Sequence, residues 1–166
     1  MTNDILIDAF NRIHEEVERV LDGLEEEDLS FRLGEDANSI AWLIWHLTRV
    51  QDDHISELRG AEQIYTAGGW NKKFDLPFDD EATGYGFSSK QVGQVQTSAA
   101  LLLGYINAVH DATISYITQL VDEDYEKIID ENYTPPVTVA VRLVSVLSDD
   151  LQHVGQAAYV RGLLGK

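Results

Sequence analysis

The chain has 166 residues, of which 44% are hydrophobic and 25% charged, a composition typical of one globular domain with its own core. Its 12 basic and 29 acidic residues give a formal net charge of −17, which repels phosphate backbones and anionic lipid surfaces, so neither nucleic acid nor a membrane is expected as a partner. The absence of cysteine excludes disulfides, thiolate metal ligands and a cysteine nucleophile. No basic and apolar leader is visible at the N-terminus, and we expect a cytoplasmic protein.

The first two predicted elements are amphipathic helices. Apolar residues recur at steps of three and four, which predicts a helix over residues 3–24. An acidic stretch follows, after which Asn38 or Ser39 can cap the next helix by accepting a backbone N–H bond. The same periodicity then predicts a second helix over residues 39–60.

The stretch 61–88 loses the helical periodicity and is rich in turn formers and aromatic residues. Unstructured connections of this length are uncommon in compact domains and are often functional. We therefore predict that it forms part of a substrate pocket, with Trp70 in its wall and the basic pair Lys72 and Lys73 attracting an anionic thiol or acid. In the alternative, its rings only plug the open end of a helix bundle.

Two further helices complete the predicted architecture. Ser88 and Gln91 have the spacing of a capping box, which predicts that a third helix covers residues 88–120. An acidic link over 122–134 precedes the last helix, predicted over residues 138–165. We find no internal repeat and no strand pattern. The expected fold is all-α: a single-domain four-helix bundle spanning the whole chain, with a long crossover loop between the second and third helices.

Three polar residues stand out on the predicted helices. His46 lies on the apolar face of the second helix and is expected to point into the core. On the last helix, Asp149 precedes His153 by one turn, and Asp150 is three residues before His153. Buried acids are costly unless they are paired or bind metal, and a carboxylate and an imidazole one turn apart can hold one ion. Either aspartate could serve as the third ligand, with the spacing favouring Asp149.

The residues alone leave a structural alternative equally open. Asp149 could orient His153 or pair with Arg49 or Arg142, and the histidine of the second helix could be an ordinary core residue. Among the remaining histidines, His14 and His110 are predicted on the surface. His54, next to Asp53, could contact a substrate or simply lie on the surface.

Three segments carry a resemblance to a known family: residues 38–47, 69–86 and 153–164. Together they resemble the DinB-like superfamily of four-helix proteins, especially the branch related to mycothiol-dependent maleylpyruvate isomerase and mycothiol transferases. The resemblance covers nearly the whole chain. It specifies the fold well and the substrate poorly.

The resemblance also implies a ligand set. In the family, one ion is held by a histidine of the second helix and by two residues one turn apart on the last helix, which corresponds to His46, Asp149 and His153 here. Many members have a histidine at the position of Asp149, whereas the isomerase branch is similar to this chain in having an acid there.

The function that the resemblance implies is a metal-dependent transferase or isomerase. It would use a low-molecular-weight thiol such as mycothiol, activated as a thiolate on a divalent ion, most simply zinc or nickel, and an electrophilic second substrate. Gln156 and Arg161 are candidates for orienting the thiol or a substrate carboxylate, although Arg161 could instead cap the carbonyls of the last helix. The alternative function is a non-catalytic metal-binding protein of stress response or sensing. A homodimer through an exposed helix face is a further expectation.

Overall fold

Four long helices form the frame of the computed structural model, which describes residues 1–166. They are α1 (Thr2–Leu21), α3 (Ile40–Arg59), α7 (Ala99–Gln119) and α8 (Val139–Leu163). Helices α1 and α3 each pack against both α7 and α8, so the four form a ring in cross-section. The predicted all-α bundle is confirmed. None of its helices combines the length and hydrophobicity needed to cross a bilayer.

The ends of α3 and the start of α8 follow their predicted capping signals. The Ser39 hydroxyl accepts the backbone N–H of Trp42 at 3.2 Å, and Gly60 ends α3 in the left-handed conformation with φ of 61°. Thr138 caps α8 by accepting the N–H of Val141 at 3.3 Å. Short polar side chains and glycine thus set these boundaries locally.

The predicted start of the third helix is wrong. The Ser88 capping box forms, but it opens only a short helix, α6 (Ser89–Gly93), after which the chain turns. Helix α7 has its own cap, Ser98, whose hydroxyl accepts the N–H of Leu101 at 3.3 Å. A capping box fixes where a helix begins and not how long it is. The first helix also ends three residues earlier than predicted.

Short elements fill the connections. Helix α2 (Glu26–Ser30) follows α1, and the crossover between α3 and α7 contains α4 (Ile64–Ala67), α5 (Trp70–Phe74) and α6. Before α8 the chain forms an antiparallel pair, β1 (Ile128–Asp130) and β2 (Val137–Thr138), where no strand was predicted. The crossover is therefore compact, although its sequence has no long periodic run.

Arg49 holds the crossover against α3. Its fully buried guanidinium donates to the carbonyls of Asp80 at 2.7 Å and Ala82 at 3.1 Å, and lies 3.7 Å from Asp52. The carboxylate of Asp52 also accepts the N–H of Tyr65 at 2.7 Å. Since a buried charge is tolerated only when paired and hydrogen-bonded, this network fixes the residues just before Thr83.

The core is divided along the bundle. One cluster contains 24 buried apolar residues and a second contains seven. Between them, the buried amide of Gln51 on α3 donates to the hydroxyl of Thr113 on α7 at 2.8 Å. The larger cluster includes Trp42 and Trp45 of α3 and Val154 of α8.

Candidate metal centre

Polar groups of α3 and α8 converge at one place. His46, Asp149 and His153 each offer one ligand atom, and these atoms all lie within 4.8 Å of one another. His46 is buried, while the other two side chains are half-buried. The structure therefore brings together the three residues that the sequence proposed as ligands.

Hydrogen bonds at the far side of each ring determine which nitrogen faces this cluster. Nδ1–H of His46 donates to the carbonyl of Thr83 at 2.6 Å, and Nδ1–H of His153 donates to Oε1 of Gln156 at 3.0 Å. A carbonyl oxygen only accepts, so both rings carry a proton on Nδ1. Each ring is then oriented to present Nε2, as in metal sites whose ligating histidines are held by a second hydrogen bond.

Asp149 has one oxygen near His153 and one without any partner. Its Oδ1 lies 3.6 Å from Nε2 of His153, whereas its Oδ2 is buried and makes no hydrogen bond. Pairing with Arg49 or Arg142 is excluded, because Arg49 binds the crossover and Arg142 contacts His54. A buried carboxylate oxygen without a partner is costly, and a cation between the three residues would supply that partner.

The three side chains of this cluster differ in how readily they hold a proton. Burial lowers the pKa of His46, and the neighbouring His153 lowers it further, against the opposing hydrogen bond to Thr83. Burial raises the pKa of Asp149, but its hydrogen bond and charge interaction with His153 outweigh burial and the net pKa lies below its usual value. Burial likewise lowers the pKa of His153, and Asp149 and Gln156 raise it by more. Asp149 is thus favoured as a carboxylate and His46 as a neutral imidazole, while Asp149 favours a second proton on Nε2 of His153, which a cation would have to displace.

Asp150 faces a different environment from its neighbour. Its side chain is 0% exposed and both oxygens lack a hydrogen-bond partner. Burial, and then the charge of Asp149, raise its pKa well above 3.8. The geometry therefore selects Asp149 and not Asp150 as the residue able to join the two histidines.

A cavity of about 360 Å³ opens between α3, α8 and the crossover beside this cluster. Two of the three candidate ligands contribute to its wall, so a molecule bound there would lie next to them. Its lining residues are His46, Val50, Asp53, His54, Thr83, Tyr85, Ser145 and Asp149.

His54 is one of the residues that line this cavity. Nη1 of Arg142 donates to Nδ1 of His54 at 3.2 Å, and a guanidinium can only donate, so the proton of the neutral ring sits on Nε2. Burial lowers the pKa of His54, and the charge of Arg142 lowers it further. Nε2–H has no partner within the chain. The predicted substrate contact by His54 stays a prediction with a defined donor atom.

Arg161 does not line the cavity and binds the end of α1 instead. Its Nη1 donates to the carbonyl of Val20 at 2.6 Å and to that of Asp22 at 2.7 Å. It therefore caps the end of α1 and not the carbonyls of its own helix, so the predicted cap on α8 is wrong, while the substrate contact stays a prediction that these bonds do not support. Gln156, the other candidate on α8, binds His153 and so contributes to the site through that histidine.

The crossover residues that were predicted to line a substrate pocket, Trp70, Lys72 and Lys73, do not lie at this cavity. Trp70 packs beside Tyr105 of α7, with ring centroids 5.7 Å apart, and Nζ of Lys73 stands 3.9 Å above the Trp70 ring. Lys72 is exposed on the same short helix. None of the three lines the cavity, because α5 packs against α7 and the candidate ligands belong to α3 and α8.

The later part of the crossover supplies what the sequence analysis missed. Thr83 contributes a backbone carbonyl, which has no signature in the side-chain sequence. Gly84, with φ of 96°, lies so close to the site that an added Cβ would stand 2.9 Å from Nδ1 of His46. The Gly84-Tyr85-Gly86 run was the available signal, since glycine is required where backbone approaches a side chain this closely.

Comparisons with known proteins agree with this architecture. A family model described as the DinB superfamily matches residues 9–157. The structure is similar to one titled as the crystal structure of the conserved protein of locus from Enterococcus faecalis, with a TM-score of 0.92 and 33% sequence identity, covering 98% of this chain and 97% of that chain. Comparison with curated proteins finds no match.

Proposed function

The chain belongs to the DinB superfamily, and we propose that it is a metal-dependent transferase or isomerase that uses a low-molecular-weight thiol. One observation supports this above the others. Three ligand atoms lie within 4.8 Å of one another at the edge of a cavity, and one carboxylate oxygen among them is buried without a partner.

The donor set fits a divalent ion of the zinc or nickel type. Imidazole nitrogen and carboxylate oxygen are common ligands of both, and His46, Asp149 and His153 would leave coordination positions open, as in catalytic zinc sites. Two neutral imidazoles and one carboxylate would leave a net charge of +1, which one thiolate neutralises. A divalent ion bound there would favour the thiolate form of a thiol near neutral pH.

The chain's own groups would orient the second substrate. In this proposal the Nε2–H of His54, which lines the cavity, would donate to an oxygen of the electrophile, and the exposed ring of Tyr85 borders the same space. In a transfer, the sulfur lone pair forms the new carbon–sulfur bond, the leaving group departs with the bonding electron pair, and the thiol proton passes to solvent. Mycothiol is the thiol that the family resemblance favours.

The first experiment measures metal content by elemental analysis of protein purified without chelator. We expect close to one divalent ion per chain, and a loss of tight binding in His46→Ala, His153→Ala and Asp149→Asn. His14→Ala is the matched control, since His14 lies on α1 and bonds Asn107 of α7. Full occupancy in the ligand variants would overturn the site.

The second experiment tests turnover. Purified protein with and without metal is assayed with small thiols and monobromobimane as the electrophile. Acceleration that requires both the metal and His46 supports the proposed activity. Stoichiometric metal without acceleration by any thiol would instead favour the alternative of a non-catalytic metal-binding or sensing protein.

A further inference from the structure

The indole of Trp42 lies against both histidines of the candidate metal centre. Trp42 precedes His46 by one turn of α3, and the two rings are stacked with centroids 4.5 Å apart and planes 12° apart. The ring of His153 stands nearly perpendicular to the same indole, at a centroid distance of 6.0 Å and an angle of 86°. Trp42 thus contacts candidate ligands that belong to two different helices.

Packing alone holds this indole in place. Its side chain is 7% exposed, and its Nε1–H is buried without a hydrogen-bond partner. The crossover covers the nitrogen edge of the ring, because a Cβ added at Gly84 would stand 3.3 Å from Nε1. The indole is therefore confined between the backbone of the crossover and the ring of His46.

The neighbouring Trp45 shows what an ordinary core tryptophan of α3 contacts. It is 1% exposed, and the rings beside it are those of Phe78 and Phe87, at 6.1 Å and 6.0 Å. Both of these partners are apolar. Trp42 differs from Trp45 in having imidazoles as its ring partners.

An indole stacked on an imidazole responds to the charge of that imidazole. Among aromatic side chains, tryptophan attracts a cation over its ring face most strongly, within about 6 Å of the ring centroid. A histidine that binds a divalent ion takes up part of the positive charge of the ion. Since His46 lies within that distance of Trp42, the stack should be more favourable with an ion bound than without one.

We propose that Trp42 is a positioning residue of the candidate metal centre, a role that rests on the metal site proposed above. The hydrogen bond from His46 to the carbonyl of Thr83 fixes one direction within the imidazole plane. The stack on Trp42 fixes the plane itself. The two contacts together orient Nε2, and Gln156 and Trp42 do the same for His153.

Trp42 acts through the histidines and not on a substrate. It is absent from the wall of the cavity beside the site, whereas His46 and Asp149 are part of that wall. Replacing Trp42 should therefore change the affinity for the ion while the side chains that line the cavity stay as they are.

Competition with a chromogenic chelator measures this role as zinc affinity. We expect Trp42→Leu to lower the affinity about 10–100-fold, as is typical when a group that orients a metal ligand is lost. Trp42→Phe should lower it less, because a phenyl ring keeps the stack with a weaker attraction for charge. Trp45→Leu is the matched control, equally buried on the same helix without a histidine partner, and should keep the wild-type affinity.

The outcomes separate this role from the metal site itself. Equal losses of affinity in Trp42→Leu and Trp45→Leu would overturn the role of Trp42 and leave the metal site standing, since general damage to the core would then explain both. A wild type that binds no zinc would instead overturn the metal site, and the role of Trp42 with it.

Tryptophan fluorescence tests the contact in variants that keep an aromatic ring and so disturb the core least. The chain has three tryptophans, and a nickel ion, with its open d shell, quenches an indole that stands against its ligand. Zinc has a filled d shell and serves as the reference ion. Nickel should quench Trp45→Phe and Trp70→Phe as it quenches the wild type, and Trp42→Phe should lose most of the quenching. Undiminished quenching in Trp42→Phe would contradict the proposed contact.

Discussion

At the scale of single residues, the site depends on which nitrogen each histidine presents. The sequence spacing of His46, Asp149 and His153 made them candidates but left a structural role equally open, and the family resemblance supplied the ligand set. It could not show that Thr83 and Gln156 fix the two rings, because a backbone carbonyl carries no sequence signal and a glutamine one turn after a histidine has many uses. The choice between Asp149 and Asp150 also required the rotation of α8, which only packing defines.

Gln156 provides a test of this positioning. Gln156→Leu removes the acceptor that holds Nδ1–H of His153, and we expect zinc affinity to fall about 10–100-fold, as is typical when a group that orients a metal ligand is lost. Gln152→Leu is the matched control, since Gln152 is one turn earlier and bonds only Ser148. Competition titration with a chromogenic chelator measures both affinities. Equal affinity in the two variants would show that Gln156 does not position His153.

The two histidines predicted on the surface are in fact half-buried and stacked, with the ring centroids of His14 and His110 4.4 Å apart. Burial, and then the charge of His14, lower the pKa of His110 from 6.5 to about 4. The folded state therefore resists protonation of His110, while the unfolded chain accepts the proton below pH 6.5. Stability contributed by neutral His110 is present above pH 6.5 and is lost as the pH falls toward 4.

We accordingly expect the free energy of unfolding of His110→Gln to change less between pH 6.5 and 4 than that of the wild type. With allowance for solvent screening of a half-exposed ring, the wild-type loss attributable to His110 between pH 6.5 and 4 is about 1 kcal/mol. Urea unfolding at several pH values, in chelator, measures the free energy of unfolding for both proteins. Parallel profiles for wild type and variant would contradict the assignment to His110.

At the scale of elements, periodicity predicted the four long helices because each must bury one apolar stripe. The break between α6 and α7 was missed, since Ser88 and Gln91 are a valid capping box and nothing local indicates that the helix ends after five residues. The small β-pair was missed because two or three residues give no period. The placement of the crossover depends on buried Arg49, whose partners are backbone carbonyls distant in sequence.

Helix α8 carries a second test, at Asp150. This residue lies one turn from Val146 and one turn from Val154, which belong to the two separate core clusters, and its carboxyl has no partner. Replacing it with valine should stabilise the metal-free protein by about 1–3 kcal/mol at neutral pH, the usual penalty of an unpartnered buried polar group.

The pH dependence of the stabilisation by Asp150→Val shows whether the buried carboxyl group is its cause. Burial raises the pKa of Asp150 well above 3.8, so the folded state retains a proton that the unfolded chain releases, and wild-type stability falls as the pH rises above 3.8. The advantage of Asp150→Val should therefore be largest in alkaline buffer and shrink toward pH 3.8. Denaturant titrations of wild type and Asp150→Val across this range would contradict the account if the gain grew on acidification.

At the scale of the whole molecule, the candidate site is an addition to a core that is already complete. The two apolar clusters involve all four long helices, whereas His46, Asp149 and His153 join only α3 and α8. Removing a metal ion should therefore lower stability without unfolding the chain, unlike in a zinc finger, where the ion takes the place of a hydrophobic core.

An ion present at 100 times its Kd stabilises the folded state by about 2.7 kcal/mol. For a chain of this size we expect chelator to lower the Tm by about 5–10 °C while the helical circular dichroism at room temperature stays unchanged. His46→Ala, which cannot bind the ion tightly, should show no shift on adding chelator. Loss of helical signal in wild type at room temperature would mean that the ion is required for folding, and the core described here would then be insufficient on its own.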